Sequence, residues 1–121
     1  MTRISLFVTF AAALTLGACS SEGDARTIVC DSQQSNNPAA RGLCRVWTGK
    51  AGDAYVQICA QEGGTEVQSC TAQDRVGLCA TDQGFGVGLD YVYYAPAWDA
   101  TSARQHCENL ASCSFTCTFT P

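Results

Sequence analysis

The clearest periodicity lies at the end of the chain. Cys113-Ser114-Phe115-Thr116-Cys117-Thr118-Phe119 alternates with period two. This predicts a strand with Cys113, Phe115, Cys117 and Phe119 on its inner face. Thr27-Ile28-Val29-Cys30 reads as a first strand, and Thr65-Glu66-Val67-Gln68-Ser69-Cys70 as another. Arg75 to Thr81 and Val87 to Ala95 form the arms of a hairpin, with Asp82-Gln83-Gly84-Phe85-Gly86 as its turn and Pro96 ending the second arm. Helical spacing appears twice. Tyr55, Ile58, Cys59 and Glu62 share one face, with Asp53 as N-cap and Gly63-Gly64 as terminator. Ala100, Ala103, Cys107 and Leu110 form a second stripe, capped by Asp99 or Thr101. Asp31 to Gly42 is a polar loop between Cys30 and Cys44. The expected fold is α+β: a small, disulfide-rich antiparallel sheet of four to six strands, with two short helices on one face.

A weak two-fold repeat runs through this pattern. Gly42-Leu43-Cys44 recurs as Gly77-Leu78-Cys79. Each is followed by a spacer, a helix-like stretch holding a cysteine, and a strand-like segment ending in a cysteine. The spacers differ, with 15 positions from Cys44 to Cys59 against 28 from Cys79 to Cys107. The hairpin is the insertion.

The N-terminus has another character. After Met1-Thr2-Arg3, residues Ile4 to Leu16 are apolar except for Ser5, Thr9 and Thr15. A helix of that length spans about 20 Å at ~1.5 Å per residue, short of the roughly 30 Å of a bilayer core. It therefore reads as the apolar region of a signal peptide rather than a membrane span. Leu16-Gly17-Ala18-Cys19 follows directly. This resembles the lipobox of bacterial lipoproteins: an aliphatic residue, two small residues and an obligatory cysteine. The resemblance implies that the Cys19 thiol takes a diacylglyceryl group and that the new amine, carrying a palmitate-type chain, is acylated as well. Several acyl chains hold a protein on a membrane where a single one does so marginally. The resemblance further implies a cell-envelope location. Ser20, in place of the Asp that retains some lipoproteins at the inner membrane, points to the outer one. The expected organisation is a signal peptide over 1–18, a lipidated cysteine and flexible tether over 19–26, and one domain over 27–121.

Cysteine parity agrees. Nine cysteines are an odd number for an exported chain, and lipid on Cys19 leaves eight: Cys30, Cys44, Cys59, Cys70, Cys79, Cys107, Cys113 and Cys117. Eight make four disulfides in an oxidising compartment. No Cys-x-x-Cys pair is present, which argues against a zinc module. Four residues of strand span about 13 Å, so Cys113 and Cys117 within one strand cannot reach each other. The repeat suggests Cys79–Cys107 first. One scheme adds Cys59–Cys70 and pairs Cys30 and Cys44 with Cys113 and Cys117. Another makes Cys44–Cys59 the counterpart of Cys79–Cys107 and leaves Cys70 for the last strand. The segment from Val76-Gly77-Leu78-Cys79 through Tyr93-Tyr94 to Ala103 and Cys107 also looks like one recurring in small Cys-rich secreted bacterial lipoproteins. Those close with Gly-Gly-Thr after the helical cysteine. Gly63-Gly64-Thr65 does so after Cys59, but Ala111-Ser112-Cys113 stands after Cys107. That likeness implies a fold and no activity.

The formal net charge of -4 includes only seven Lys and Arg, scattered singly, which argues against nucleic acid. A single histidine, His106, excludes most His-based metal sites, and its neighbour Cys107 points about 100° away on a helix. His106 therefore reads as an exposed helix residue rather than half of a Cys–His nucleophile. No calcium loop, phosphate loop or Gly-x-Ser-x-Gly elbow occurs, and no two acids stand at a catalytic spacing. No catalytic residue, metal or cofactor is expected. The candidate binding face comes from the aromatic cluster Tyr91, Tyr93, Tyr94 and Trp98: on a strand Tyr91 and Tyr93 share one side and Tyr94 takes the other, and at least two of the four rings are expected to be exposed and contiguous, able to stack on a sugar or meet a protein partner. The expected function is a non-enzymatic binding or structural module of the envelope. The alternative is a small secreted hydrolase or hydrolase inhibitor, which converging ionisable groups in a pocket would favour.

Overall fold

The computed structural model describes residues 25–84, 86–110 and 116–121. The apolar N-terminal stretch, Cys19, Cys113 and Phe115 lie outside the described residues. The described chain forms β1 (Arg26–Asp31), β2 (Leu43–Gly49), α1 (Gly52–Gln61), β3 (Thr65–Val67), β4 (Arg75–Gly84), β5 (Val87–Tyr94), α2 (Ala100–Glu108) and β6 (Thr116–Thr120). The six strands make one sheet in the order β3-β1-β2-β5-β4-β6, and every neighbouring pair is antiparallel. It is an α+β fold. No described helix is long and apolar enough to cross a membrane.

The sequence pattern passes over β2 as a spacer. It lies between β1 and β5 and packs side chains on both faces, so it lacks the alternation of a half-solvated strand. Its Arg45 is buried, which masks it further. β3 is shorter than expected and stops at Val67.

The helices follow their local signals unevenly. Asp99 caps α2: its side chain accepts from the Ser102 N–H while the Ser102 hydroxyl accepts from the Asp99 N–H, so both orphan donors are satisfied. Ala103 and Cys107 are buried, with Leu110 packed beside them. α1 starts one residue before Asp53. Its N-cap is Ala51, in the left-handed region at φ 61° with no side-chain cap. Tyr55 and Cys59 point inward, whereas Ile58 is 44% exposed and does not share their face. Gly63, at φ 75°, closes the helix, and the Gly64 N–H bonds the Cys59 carbonyl at 2.8 Å.

Three disulfides link described cysteines: Cys30–Cys59, Cys44–Cys70 and Cys79–Cys107. Cys117 is disulfide-bonded as well. Cys79–Cys107 is as expected. Cys59–Cys70, Cys44–Cys59 and any link from Cys30 or Cys44 to the last strand are corrected. The register explains why. Leu43-Cys44 stands opposite Tyr93-Val92, and those two residues stand opposite Gly77-Leu78 on β4. The second Gly-Leu-Cys unit is thus offset by one position, and one position turns a side chain to the other face. Cys44 joins Val29, Val92 and Tyr94 on one face, while Cys79 joins Leu43, Tyr93 and Cys107 on the other. The two units are therefore not equivalent in their bonding.

Candidate functional site

Cys30, Arg45, Tyr91 and Cys79 stand in one cross-strand row over β1, β2, β5 and β4. Arg45 is the unusual member. Its side chain is 8% exposed and is paired with Glu62 at the C-cap of α1. Burial alone would lower its pKa, but the Glu62 hydrogen bond and nearby groups outweigh this and hold the guanidinium charged. Arg45 Cζ lies 6.0 Å from the centroid of the Tyr55 ring, which in turn stacks on Trp47 at 5.2 Å. Burial pushes the Tyr55 phenol up to about 12 and raises Tyr91 too. Arg45 Nε and the Tyr55 hydroxyl are buried without a hydrogen-bond partner among the described residues.

A second group of rings surrounds His106. Its centroid lies 5.0 Å from Trp98, 5.5 Å from Tyr93 and 5.7 Å from Tyr91, all nearly edge-on. The Tyr93 hydroxyl and His106 Nδ1 are 2.8 Å apart. Burial lowers the His106 pKa and raises that of Tyr93. His106 is therefore half-buried rather than the exposed helix residue expected. Tyr93 also packs on Phe119, which Arg104 covers with its guanidinium 4.7 Å from the ring centroid.

The expected aromatic face needs correction. Tyr93 is fully buried and Tyr94 is 1% exposed. They are consecutive on β5 and so project to opposite faces, Tyr93 into the His106 group and Tyr94 against Val29, Cys44 and Val92. The Tyr94 hydroxyl donates to the Thr71 carbonyl at 2.6 Å. Tyr91 and Trp98 are half-buried, and the Trp98 indole N–H donates to the Arg41 carbonyl at 3.2 Å. The four rings are divided by the sheet and do not form one open platform.

The Arg41 side of Trp98 borders an open cleft of about 360 Å³ that the sequence pattern does not mark. Gln33, Gln34, Arg41 and Gly42 line it from the polar loop, and Tyr94, Ala95, Pro96 and Ala97 from the turn after β5. The loop is held in place. The Ser32 hydroxyl lies 2.9 Å from both the Ala40 and Leu43 carbonyls, and the Gly42 N–H bonds the Gln33 carbonyl. Gly42 sits at φ 73°, and a Cβ there would lie 2.5 Å from Ala97 Cβ. Loop and turn therefore meet where only glycine fits.

Sequence reasoning missed Arg45, Glu62, Tyr55 and the cleft residues. Arg45 and Glu62 are 17 positions apart on different elements, and no local spacing marks such a pair. Among the described residues, no cluster of three or more His, Cys, Asp and Glu could hold a metal ion. No family model, curated protein or solved structure matches this chain.

Proposed function

We propose that the chain is a lipid-anchored, disulfide-stabilised lipoprotein of the bacterial cell envelope, acting there as a non-enzymatic binding or structural module. The observation that carries the reading is Leu16-Gly17-Ala18-Cys19 directly after an apolar stretch too short to span a bilayer. Disulfides at Cys30–Cys59, Cys44–Cys70 and Cys79–Cys107 support an oxidising compartment. The ionisable groups that converge are committed to one another, Glu62 to Arg45 and His106 to Tyr93, which favours a structural role for them over chemistry. The reading includes both helices on one face of the sheet. Its support is the register: Cys30 and Cys79, which tether α1 and α2, belong to the same cross-strand row.

The test is expression of the full chain in a bacterial host fed labelled palmitate. The wild type should carry the label in the membrane fraction. Cys19→Ser should lose it and accumulate as the unprocessed precursor. A soluble, fully matured Cys19→Ser protein would overturn the reading.

A further inference from the structure

We propose that the cleft between the polar loop and the turn after β5 binds a short saccharide bearing one carboxylate. This rests on the reading of the chain as a binding module and names its site and ligand class.

The cleft size, about 360 Å³, falls within the range of small-molecule sites, roughly 300–1,000 Å³. Its polar groups are available. Arg41 spends its Nε on the Ser35 carbonyl at 3.1 Å, and among the described residues it makes no ion pair. That leaves the two terminal amines of the guanidinium as donors, aligned by the bond behind them. The side-chain amides of Gln33 and Gln34 have no hydrogen-bond partner among the described residues, while the Gln33 backbone is held by Asp31 at 3.0 Å and by Gly42 at 3.2 Å. Each amide offers donors and an acceptor together, which is what neighbouring sugar hydroxyls require. Pro96 and Ala97 are exposed and apolar, a surface for the C–H face of a sugar ring.

The recurring ways of holding a peptide do not fit here. The cleft lies on a loop and a turn beside β2 and β5, which are interior strands and offer no edge. Several of its backbone donors are already used, Gly42 N–H on Gln33, Tyr94 N–H on Gly42 and Ala95 N–H on Asp74. Tyr94 is buried and gives no aromatic trough, and one Arg is no basic cluster. What remains is recognition by side-chain amides and one guanidinium. Arg41 is the charged side chain among the described residues lining the cleft, so it calls for a single anionic group, which a uronic-acid carboxylate supplies within the saccharide itself.

The experiment is calorimetry on the exported full chain in detergent, with its disulfides formed. Two matched probes, cellobiouronic acid and cellobiose, differ only in a carboxylate that replaces one hydroxymethyl group. The acidic disaccharide should bind, and the neutral one should bind about tenfold more weakly or worse, as loss of a charge-assisted hydrogen bond requires. Arg41→Ala should reduce the acidic probe to the level of the neutral one. Arg41→Lys, which keeps the charge but loses the fork, should fall between them. Arg41 is exposed, and near-ultraviolet circular dichroism verifies that each variant is folded. Absence of binding at about 10 mM of the acidic probe overturns the proposal. So does equal binding of both disaccharides, an unchanged Arg41→Ala variant, acetate binding as well as the acidic disaccharide, or a short peptide with a free C-terminus binding more tightly. Palmitate labelling reads the lipid anchor separately, so the failure of one leaves the other standing.

Discussion

His106 is a titrating group whose ordinary pKa falls near neutrality, and its burial among Tyr91, Tyr93 and Trp98 lowers that value in the folded chain. The unfolded chain therefore takes up the proton first as pH falls. The stability linked to His106 is fully present above about pH 6.5 and is lost as pH drops towards the lower folded value. Tm should decline between about pH 7 and 5, and His106→Gln should flatten that slope. Asp99, held low by its Ser102 hydrogen bonds, titrates in a more acid window and does not obscure the effect. Thermal melts at several pH values measure both, and an unchanged slope in the variant contradicts the assignment. Gly64 gives a steric prediction. A Cβ there would lie 2.5 Å from Cys30 Sγ and 3.0 Å from Cys59 Sγ. Gly64→Ala should impair formation of that bridge, which non-reducing peptide mapping would reveal. The sequence places Gly64 at a helix end but is silent on the sulfur it faces, because Cys30 arrives from a distant strand.

The two helices differ in how they begin, and their responses to mutation should differ accordingly. α2 has a complete capping box, so Asp99→Ala should cost about 0.5–2 kcal/mol in denaturant unfolding. α1 has no side-chain cap, and its Ala51 is held in a left-handed conformation that disfavours a Cβ by about 1–2 kcal/mol. Ala51→Gly should stabilise the domain by about 0.5–1 kcal/mol after the added chain entropy is subtracted. A destabilised Ala51→Gly protein would show that the strain is offset elsewhere. The α2 cap is readable only as far as Asp99 or Thr101 before an apolar stripe, and the fold selects Asp99. The α1 cap is not, since Ala carries no signal and the adjacent Asp53 looks like the cap. Asp53 instead lies in the first turn, paired with Arg26 of β1.

The bridges link segments from end to end of the described domain, with separations of 29, 26 and 28 residues. Loops of that length imply about 3–4 kcal/mol each by restriction of the unfolded chain. Small domains hold only about 5–15 kcal/mol in total. Replacing Cys44 and Cys70 together by Ala should leave a folded but weakened domain, whereas removing two bridges should unfold it. Urea titration of the single and double deletions measures this. A double deletion that still melts cooperatively near the wild-type midpoint would show that the core alone suffices. Cys30–Cys59 and Cys79–Cys107 join each helix to the sheet, while Cys44–Cys70 fastens the segment after β3.

Local chemistry was legible along the described chain: the hairpin of β4 and β5, the second helix and the closing strand. Each depends on neighbours within a few positions, where propensity and spacing act directly. Cys79–Cys107 was legible too, because the hairpin and the helix after it are adjacent in sequence. The remaining bridges and the burial of Arg45 on Glu62 were set by the sheet. A one-position register offset between β2 and β4 turns Cys44 and Cys79 to opposite faces, and no alternation visible within either strand records it. The cleft arises in the same way. Gln33, Gln34 and Arg41 look like an ordinary polar loop until β2 and β5 pair and bring the turn at Pro96 against it. Strand pairing joins residues some fifty positions apart, and that juxtaposition is a property of the folded backbone rather than of any stretch of sequence.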